Sequence, residues 1–185
     1  MVHTSAWTDV AIPNIDIWTM YMEQPKEYPD NHSTDQLLTR PSHFSLLILT
    51  QSAALLVDCD TNRSYTFADI KAHSIAFGRG LRHIFKWQKG DVLAFFSPNN
   101  IDTPVVNLGL HWAAGIASPA NPTYTVDEFA RQLEDSRARV VVTQKPFLKT
   151  ACDAAAKAGI PRDHIILMGD GRDETGIHRH WTDIN

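Results

Sequence analysis

The sequence predicts an α/β fold in which a mostly parallel sheet is flanked by helices on both faces. From Gly90 to Met168, short apolar segments alternate with longer segments of helical periodicity. One apolar segment, Arg139–Thr143, contains three consecutive valines, which favours a strand buried on both faces. Strands of this kind joined by helices indicate parallel pairing with right-handed crossovers. A small β-hairpin and an irregular N-terminal arm complete the predicted fold.

The segments before the sheet are predicted to form an arm, two helices and the hairpin. Residues 1–32 carry aromatic residues and prolines without sustained periodicity, which predicts an extended arm on the surface. Residues 33–35 provide a helix cap, and residues 42–50 are apolar enough for a buried helix. The segments 54–58 and 63–66 predict two short strands joined by a turn.

The first long helix is predicted to begin after Thr66. Thr66 and Asp69 form a capping-box pattern, in which each side chain bonds a free backbone N–H of the first turn. The apolar residues that follow share one helical face: Ile70, Phe77, Leu81 and Ile84. Gly90 and Asp91 then turn the chain into the strand 92–96.

The second helix is predicted to be capped by Asp102, with Pro104 in its first turn, where a missing N–H costs nothing. Its predicted apolar stripe consists of Val105, Leu108 and Trp112. Gly115 is predicted to end the helix, and residues 116–120 form the next strand.

Thr125 and Glu128 form a second capping box. The helix that they open is predicted to bury Phe129 and Leu133. After the valine-rich strand, residues 147–158 predict an alanine-rich helix, and residues 164–168 predict the last strand. The resulting division is an arm over 1–32, an α/β subdomain over 33–176 and a connector or tail over 177–185.

Composition excludes several classes of protein. A chain of 185 residues with 43% hydrophobic content can bury one compact core. A net charge of −4 gives no basic surplus for nucleic acid or an anionic membrane. The N-terminus lacks the pattern of a signal peptide, and the longest apolar stretch, Phe44–Leu49, is too short to cross a bilayer. Cys59 and Cys152 lie far apart, which predicts reduced, partly buried residues rather than a disulfide framework or zinc site.

No catalytic, cofactor-binding or metal-ligating residue is assigned from the sequence. A phosphate cradle needs glycines in series at the start of a helix. Residues 78–80 fall inside a predicted helix, and residues 169–171 lack the lysine and the helix that should follow. The acidic turn after residue 58 resembles part of a calcium loop, but a hairpin turn explains it better. His178 and His180 are expected to be solvated in an exposed tail.

A candidate ligand pocket lies where the predicted parallel strands end. Ligands of open α/β sheets usually bind at this carboxyl edge. The residues assigned to the pocket are Ser97, Asn99, His111, Asn121 and Tyr124. The alternative stays open that both asparagines only bond their own turns and that His111 is an ordinary helix residue.

Five segments resemble a known family: Arg63–Ile70, Gly90–Asn99, His111–Gly115, Ser118–Pro122 and Arg137–Thr143. Together they resemble the opening portion of the adenylate-forming (AMP-binding) superfamily, in particular fungal and plant 4-coumarate–CoA ligase-like acyl-CoA synthetases. The resemblance is clear from Leu55 to Asp173. It implies a partial N-terminal subdomain of this superfamily, and the family's phosphate loop and catalytic lysine have no match in the chain.

The resemblance implies the first subdomain of an acyl- or aryl-CoA synthetase, which adenylates a carboxylate with ATP and then forms a thioester. Alone, the subdomain is expected to be unable to ligate, and ATP, Mg and CoA are implied only for a full-length relative. The expected partners are the rest of a ligase N-terminal domain, or a second copy through the equivalent surface, and a small carboxylic-acid-derived ligand. A cytoplasmic location is expected, or a peroxisomal one if a longer parent carries a C-terminal signal.

The alternative is a naturally shortened ligase-like protein. Such a protein would act as a binding or regulatory module, or would catalyse cofactor-free chemistry such as isomerisation or cyclisation.

Overall fold

The computed structural model describes residues 16–23 and 54–184. The chain divides into two units, Met1–Ser33 and Thr34–Asn185. The helix cap predicted at 33–35 and the helix predicted at 42–50 lie outside the described residues, as does most of the arm.

In the first unit, the described residues are helical. A helical turn at Ile17 and Trp18 continues into a π-helix, Thr19–Glu23. The Asp16 carboxylate accepts hydrogen bonds from the Thr19 N–H at 2.9 Å and the Thr19 hydroxyl at 2.8 Å. These bonds cap the turn, so the prediction of an extended arm is wrong for these residues.

The second unit begins with the predicted hairpin. Strand β1 (Ala54–Val57) pairs antiparallel with β2 (Ser64–Thr66). In the connecting turn, Asp58 Oδ1 accepts from the N–H groups of Asp60 at 2.9 Å and Thr61 at 3.1 Å. Asn62 takes a left-handed φ of 57°, which asparagine tolerates better than most residues. Asp58 and Asn62 therefore serve the turn, and the hairpin prediction is confirmed. Cys59 is exposed in this turn, so its predicted partial burial is wrong.

Helix α1 (Phe67–Ile84) starts with the predicted capping box. The Thr66 hydroxyl accepts from the Asp69 N–H at 3.1 Å, and Asp69 Oδ2 accepts from the Thr66 N–H at 2.9 Å. The predicted apolar face is also present: Ile70, Phe77 and Leu81 are buried, and Ile84 is half-buried.

The main sheet has four parallel strands in the order β4-β3-β5-β6. Its strands are β3 (Val92–Phe96), β4 (Ile116–Ala120), β5 (Ala138–Thr143) and β6 (Ile165–Leu167). The helices that connect them are α2 (Thr103–Trp112), α3 (Val126–Ser136) and α4 (Leu148–Lys157). Short 3₁₀ turns occur at Lys145–Phe147, Arg162–His164 and Trp181–Asp183. The predicted fold class, an α/β fold with a parallel sheet, flanking helices and a small antiparallel hairpin, is confirmed.

Helices cover both faces of the sheet. On one face, Ala94 and Phe96 of β3 pack in a buried cluster with residues of α3 and α4. The Phe96 ring stacks on Phe129 with a centroid separation of 4.2 Å. Successive strand residues point to opposite faces, so Leu93 and Phe95 face the other layer, which contains α1 and α2. The second capping box, at Thr125 and Glu128, opens α3 as predicted.

Helices α1 and α2 cross in close backbone contact. A Cβ placed on Gly109 of α2 would lie 2.6 Å from the Ser74 carbonyl oxygen of α1. The Ser74 hydroxyl donates to the Val105 carbonyl at 2.9 Å, which joins the two helices at the same crossing. Only glycine allows this approach.

The crossing corrects two predictions about α2. Its buried face consists of Val105, Val106, Gly109 and Leu110. Leu108 and Trp112 are only half-buried, because α2 turns one side to the sheet and another to α1. The left-handed residue after the helix is Ala114 rather than the predicted Gly115. Gly115 is needed for space instead, since a Cβ there would lie 2.2 Å from Leu110 Cδ1.

The segment after β6 returns to the sheet. The Leu167 N–H donates to the Arg179 carbonyl at 2.8 Å, and Leu167 forms a parallel bridge with His180. Further on, Trp181 and Ile184 are buried. Residues 178–184 therefore pack against the subdomain, whereas the predicted domain boundaries stay predictions. Among the residues that the structure describes, no helix is long and apolar enough to span a bilayer.

Candidate functional site

The carboxyl edge of the sheet is organised around one buried carboxylate. Asp102 follows β3, and its side chain has no solvent exposure. It accepts hydrogen bonds from the Tyr65 hydroxyl at 2.7 Å and the Gly169 N–H at 2.8 Å. The Arg63 guanidinium donates to both carboxylate oxygens at 3.3 and 3.4 Å. Asp102 thus joins the hairpin, the start of α2 and the loop after β6.

The prediction that Asp102 caps α2 with its side chain is wrong. The residue stands at the N-cap position, but its carboxylate makes no bond to its own helix. Donors from distant parts of the chain take the carboxylate oxygens instead, while the Asp102 N–H donates to Asn100 Oδ1 at 2.9 Å. The sequence offers no spacing that would connect Asp102 with Arg63 or Gly169.

The partners of Asp102 are themselves held in place. Burial raises the pKa of Tyr65, and its hydrogen bond to Asp102 adds to this shift, so the phenol stays a neutral donor. The Arg63 Nε lies 3.3 Å from an oxygen of the more exposed Asp170. Gly169 has a φ of +80°, and its carbonyl accepts from His180 Nε2 at 2.7 Å. Since a carbonyl only accepts, Nε2 carries the imidazole proton.

The histidines after β6 are buried, so their predicted solvation is wrong. His178 Nε2 lies 3.6 Å from the Cys152 thiol of α4, a contact that the sequence did not indicate. Burial raises the pKa of Cys152, which keeps the thiol protonated and a poor nucleophile. Across residues 16–23 and 54–184, no three side chains form a cluster suited to a metal ion.

Between β3 and β5, further side chains close the carboxyl edge. The Thr143 hydroxyl donates to the Phe96 carbonyl at 2.8 Å. Gln144 Nε2 donates to the Ser97 hydroxyl oxygen at 2.6 Å. These polar groups at the strand ends therefore bond one another.

Beside this closed region, a cavity of about 270 Å³ lies between α2 and strands β3 and β4. Its lining includes three of the predicted pocket residues, Ser97, Asn99 and His111. Two residues that the sequence did not single out, Thr103 and Asn107, also line it. Together with His111 they recur every four residues along α2, and this spacing is the signal that could have identified them.

The other two predicted pocket residues lie elsewhere. Asn121 Oδ1 accepts from the Thr123 N–H at 3.0 Å and the Thr123 hydroxyl at 2.9 Å, so it serves its own turn. Tyr124 packs against the cluster between the sheet and α3 and α4. A separate depression of about 420 Å³ is lined by Gln144, Lys145, Pro146, Met168, Asp170 and Gly171. The predicted binding role of the pocket residues stays a prediction.

Comparison with known proteins shows which family this chain resembles. The family model described as "AMP-binding enzyme" matches residues 49–182. The 4-coumarate–CoA ligase-like 9 of Oryza sativa subsp. japonica is 34% identical over 117 residues, which cover 63% of this chain and 20% of that protein. A long-chain-fatty-acid–CoA ligase of Haemophilus influenzae is 36% identical over 107 residues, which cover 57% of this chain and 19% of that protein.

Solved structures share the fold. A benzoate CoA ligase from Burkholderia xenovorans LB400 aligns over 76% of this chain and 26% of that chain, with a TM-score of 0.64 and 19% identity. The anthranilate CoA ligase AuaEII aligns over 75% of this chain and 26% of that chain, with a TM-score of 0.64 and 21% identity. The chain spans only about a fifth of the length of the curated relatives cited above (20% and 19%). The chain belongs to the AMP-binding enzyme family, of which it represents part of the N-terminal region.

Proposed function

We propose that this chain is the first subdomain of an acyl- or aryl-CoA synthetase and that it serves as a scaffold. The observation that carries the proposal is the buried Asp102 carboxylate, with donors from the hairpin and from the loop after β6. The side chains of Asp102, Arg63 and Tyr65 at the carboxyl edge of the sheet are thereby committed to internal contacts. A rigid edge of this kind positions the polypeptide that packs against it. Few of its side chains remain free to take part in chemistry.

The glycine-containing loop after β6 supports a scaffold role, because its geometry does not fit a nucleotide phosphate. A phosphate cradle needs several free N–H groups that point at the anion. The Gly169 N–H instead donates to Asp102, whose negative charge would repel a phosphate. At Gly171, an added Cβ would lie 2.7 Å from the Lys145 side chain, so the loop already packs closely. We therefore assign ATP, Mg and CoA to the remainder of a full-length ligase.

The proposed partner is the rest of a ligase N-terminal domain, or a second copy of the chain at the equivalent surface. Leu55 and Val57 of β1 are both exposed, with 60% and 59% of their surface accessible. Ile116, on the edge strand β4, is 52% exposed. Exposed apolar side chains on strands are typical of surfaces that another polypeptide covers. We propose a cytoplasmic location, or a peroxisomal one for a longer parent with a C-terminal signal.

A pyrophosphate-release assay tests the scaffold proposal. The purified chain is incubated with ATP, Mg, CoA and a panel of aryl and fatty acids, and a full-length benzoate CoA ligase serves as the positive control. We expect no release above the protein-free blank, while circular dichroism shows cooperative unfolding of the same sample. Repeated turnover by the folded chain would contradict the proposal.

A further inference from the structure

Residues 178–184 form a strap that runs from the edge strand β6 to helix α1. At β6, the Leu167 N–H donates to the Arg179 carbonyl at 2.8 Å. At α1, Ile184 is 1% exposed and packs against Gly80. A Cβ on Gly80 would lie 2.4 Å from Ile184 Cγ2 and 2.6 Å from the Ile184 carbonyl carbon. The strap therefore fits onto α1 only because position 80 is a glycine.

The strap also holds the loop that follows β6. His180 is buried, and its Nε2 donates to the Gly169 carbonyl at 2.7 Å. The Gly169 N–H donates in turn to the Asp102 carboxylate at 2.8 Å. The other ring nitrogen of His180 lies 2.7 Å from the Thr182 hydroxyl, so both nitrogens are engaged. A continuous path of hydrogen bonds thus joins the strap to the buried carboxylate at the carboxyl edge of the sheet.

The docked strap buries two polar atoms that have no hydrogen-bond partner among the described residues, the Trp181 indole nitrogen and His178 Nδ1. Water would bond both atoms in an undocked strap, so their burial weakens docking. The apolar surfaces of Trp181 and Ile184 are almost fully buried and favour docking. Because the strap contributes to both sides of this balance, undocking it costs less than its buried apolar surface alone would require.

The connection between β6 and the strap can accommodate undocking. Residues 171–177 contain no helix or strand, and most of them are exposed. The ion pair between Arg172 and Asp183 also fastens the strap, but both side chains are largely exposed, so the pair contributes little. Segments with few buried apolar contacts and an exposed connection open locally at a lower free energy than the core of a domain.

We propose that the strap is a conformational switch, which undocks as one unit while α1 and the sheet stay folded. When docked, it fixes the loop after β6 in the position that bonds Asp102. Undocking breaks the bond from His180 to the Gly169 carbonyl, so the Gly169 N–H separates from Asp102 more often. The inference concerns the fold of this chain and does not rest on the scaffold proposal.

Gly80→Ala tests the switch, because the added methyl group displaces Ile184, whereas alanine favours the helix itself. Hydrogen exchange of the intact chain, followed by NMR, compares the Gly169 N–H with that of Val141 in the buried strand β5. We expect exchange at Gly169 to accelerate at least tenfold and exchange at Val141 to stay unchanged. The Trp181 indole N–H signal is expected to move to the position of an exposed indole.

Two further variants make the test specific. Ile184→Ala removes the apolar anchor without changing α1, and it is expected to accelerate exchange at Gly169 in the same way. Arg79→Ala changes the exposed position next to Gly80 and is the matched control, with exchange rates equal to those of the wild type.

Three results would overturn the inference. In the first, the Gly169 N–H of the wild-type chain exchanges at the rate of Val141, so the strap opens only when the whole subdomain unfolds. In the second, Gly80→Ala and Ile184→Ala leave exchange at Gly169 unchanged, so the strap does not hold the loop. In the third, both variants accelerate Val141 as much as Gly169, so the strap belongs to the core. The pyrophosphate-release assay is unaffected by these results, and the two proposals can therefore fail separately.

Discussion

Replacing Asp102 by alanine is expected to lower the free energy of unfolding by about 3 kcal/mol. The substitution leaves the Tyr65 hydroxyl and the Gly169 N–H without their acceptor, and it leaves the Arg63 guanidinium without its buried counterion. Unsatisfied buried donors each cost about 1–3 kcal/mol, although the partial exposure of Arg63 reduces its share. Urea denaturation followed by circular dichroism measures the change.

Asp170→Asn is the matched control for this prediction. Asp170 contacts the same guanidinium at 3.3 Å, but its side chain is 62% exposed. Exposed ion pairs contribute at most about 1 kcal/mol, so this variant is expected to unfold close to the wild type. If the two variants lost equal free energy of unfolding, the buried Asp102 carboxylate would not be what stabilises the carboxyl edge of the sheet.

Gly109→Ala is expected to lower the free energy of unfolding by about 2 kcal/mol. The added Cβ would lie 2.6 Å from the Ser74 carbonyl oxygen and 3.0 Å from Phe77 Cδ1. The first of these atoms belongs to the backbone of α1, which cannot move aside as a flexible side chain would. The two helices must therefore separate, which opens the layer that covers one face of the sheet. Thermal unfolding followed by circular dichroism measures the loss.

The intrinsic preference of helices for alanine acts in the opposite direction. Without the crossing, Gly109→Ala would stabilise the chain by about 1 kcal/mol. Ala72→Gly, at an exposed position of α1, measures this propensity in the same protein. If Gly109→Ala were stabilising by the amount that Ala72→Gly costs, α1 and α2 would not touch at this point.

Local sequence patterns predicted the helices and strands, because residues close together in the chain determine where these elements begin and end. Both capping boxes, at Thr66 and Thr125, use residues three positions apart and occur as predicted. The valine-rich β5 is an interior strand, with β3 on one side and β6 on the other. Its side chains are buried because helices cover both faces of the sheet. The prediction of the buried face failed for α2, because this helix packs against two surfaces, the sheet and α1. The residues that it buries are set by both contacts together.

The candidate site was predictable only in part. Position at a strand end or on the intervening helix identified Ser97, Asn99 and His111, all of which line the cavity. It also selected Asn121, because a turn asparagine and a binding asparagine follow a strand in the same way. The role of Asp102 could not be predicted, since its partners Arg63 and Tyr65 lie 39 and 37 residues away in sequence.

The scaffold account is tested most directly by titrating the purified chain with ATP and Mg in a calorimeter. The account expects no saturable heat, because the Gly169 N–H is bonded to the negative charge of Asp102 rather than free for a phosphate. Asp102→Asn serves as the companion variant, since it removes that charge with little change of shape. Saturable, stoichiometric ATP binding by the wild-type chain would contradict the account.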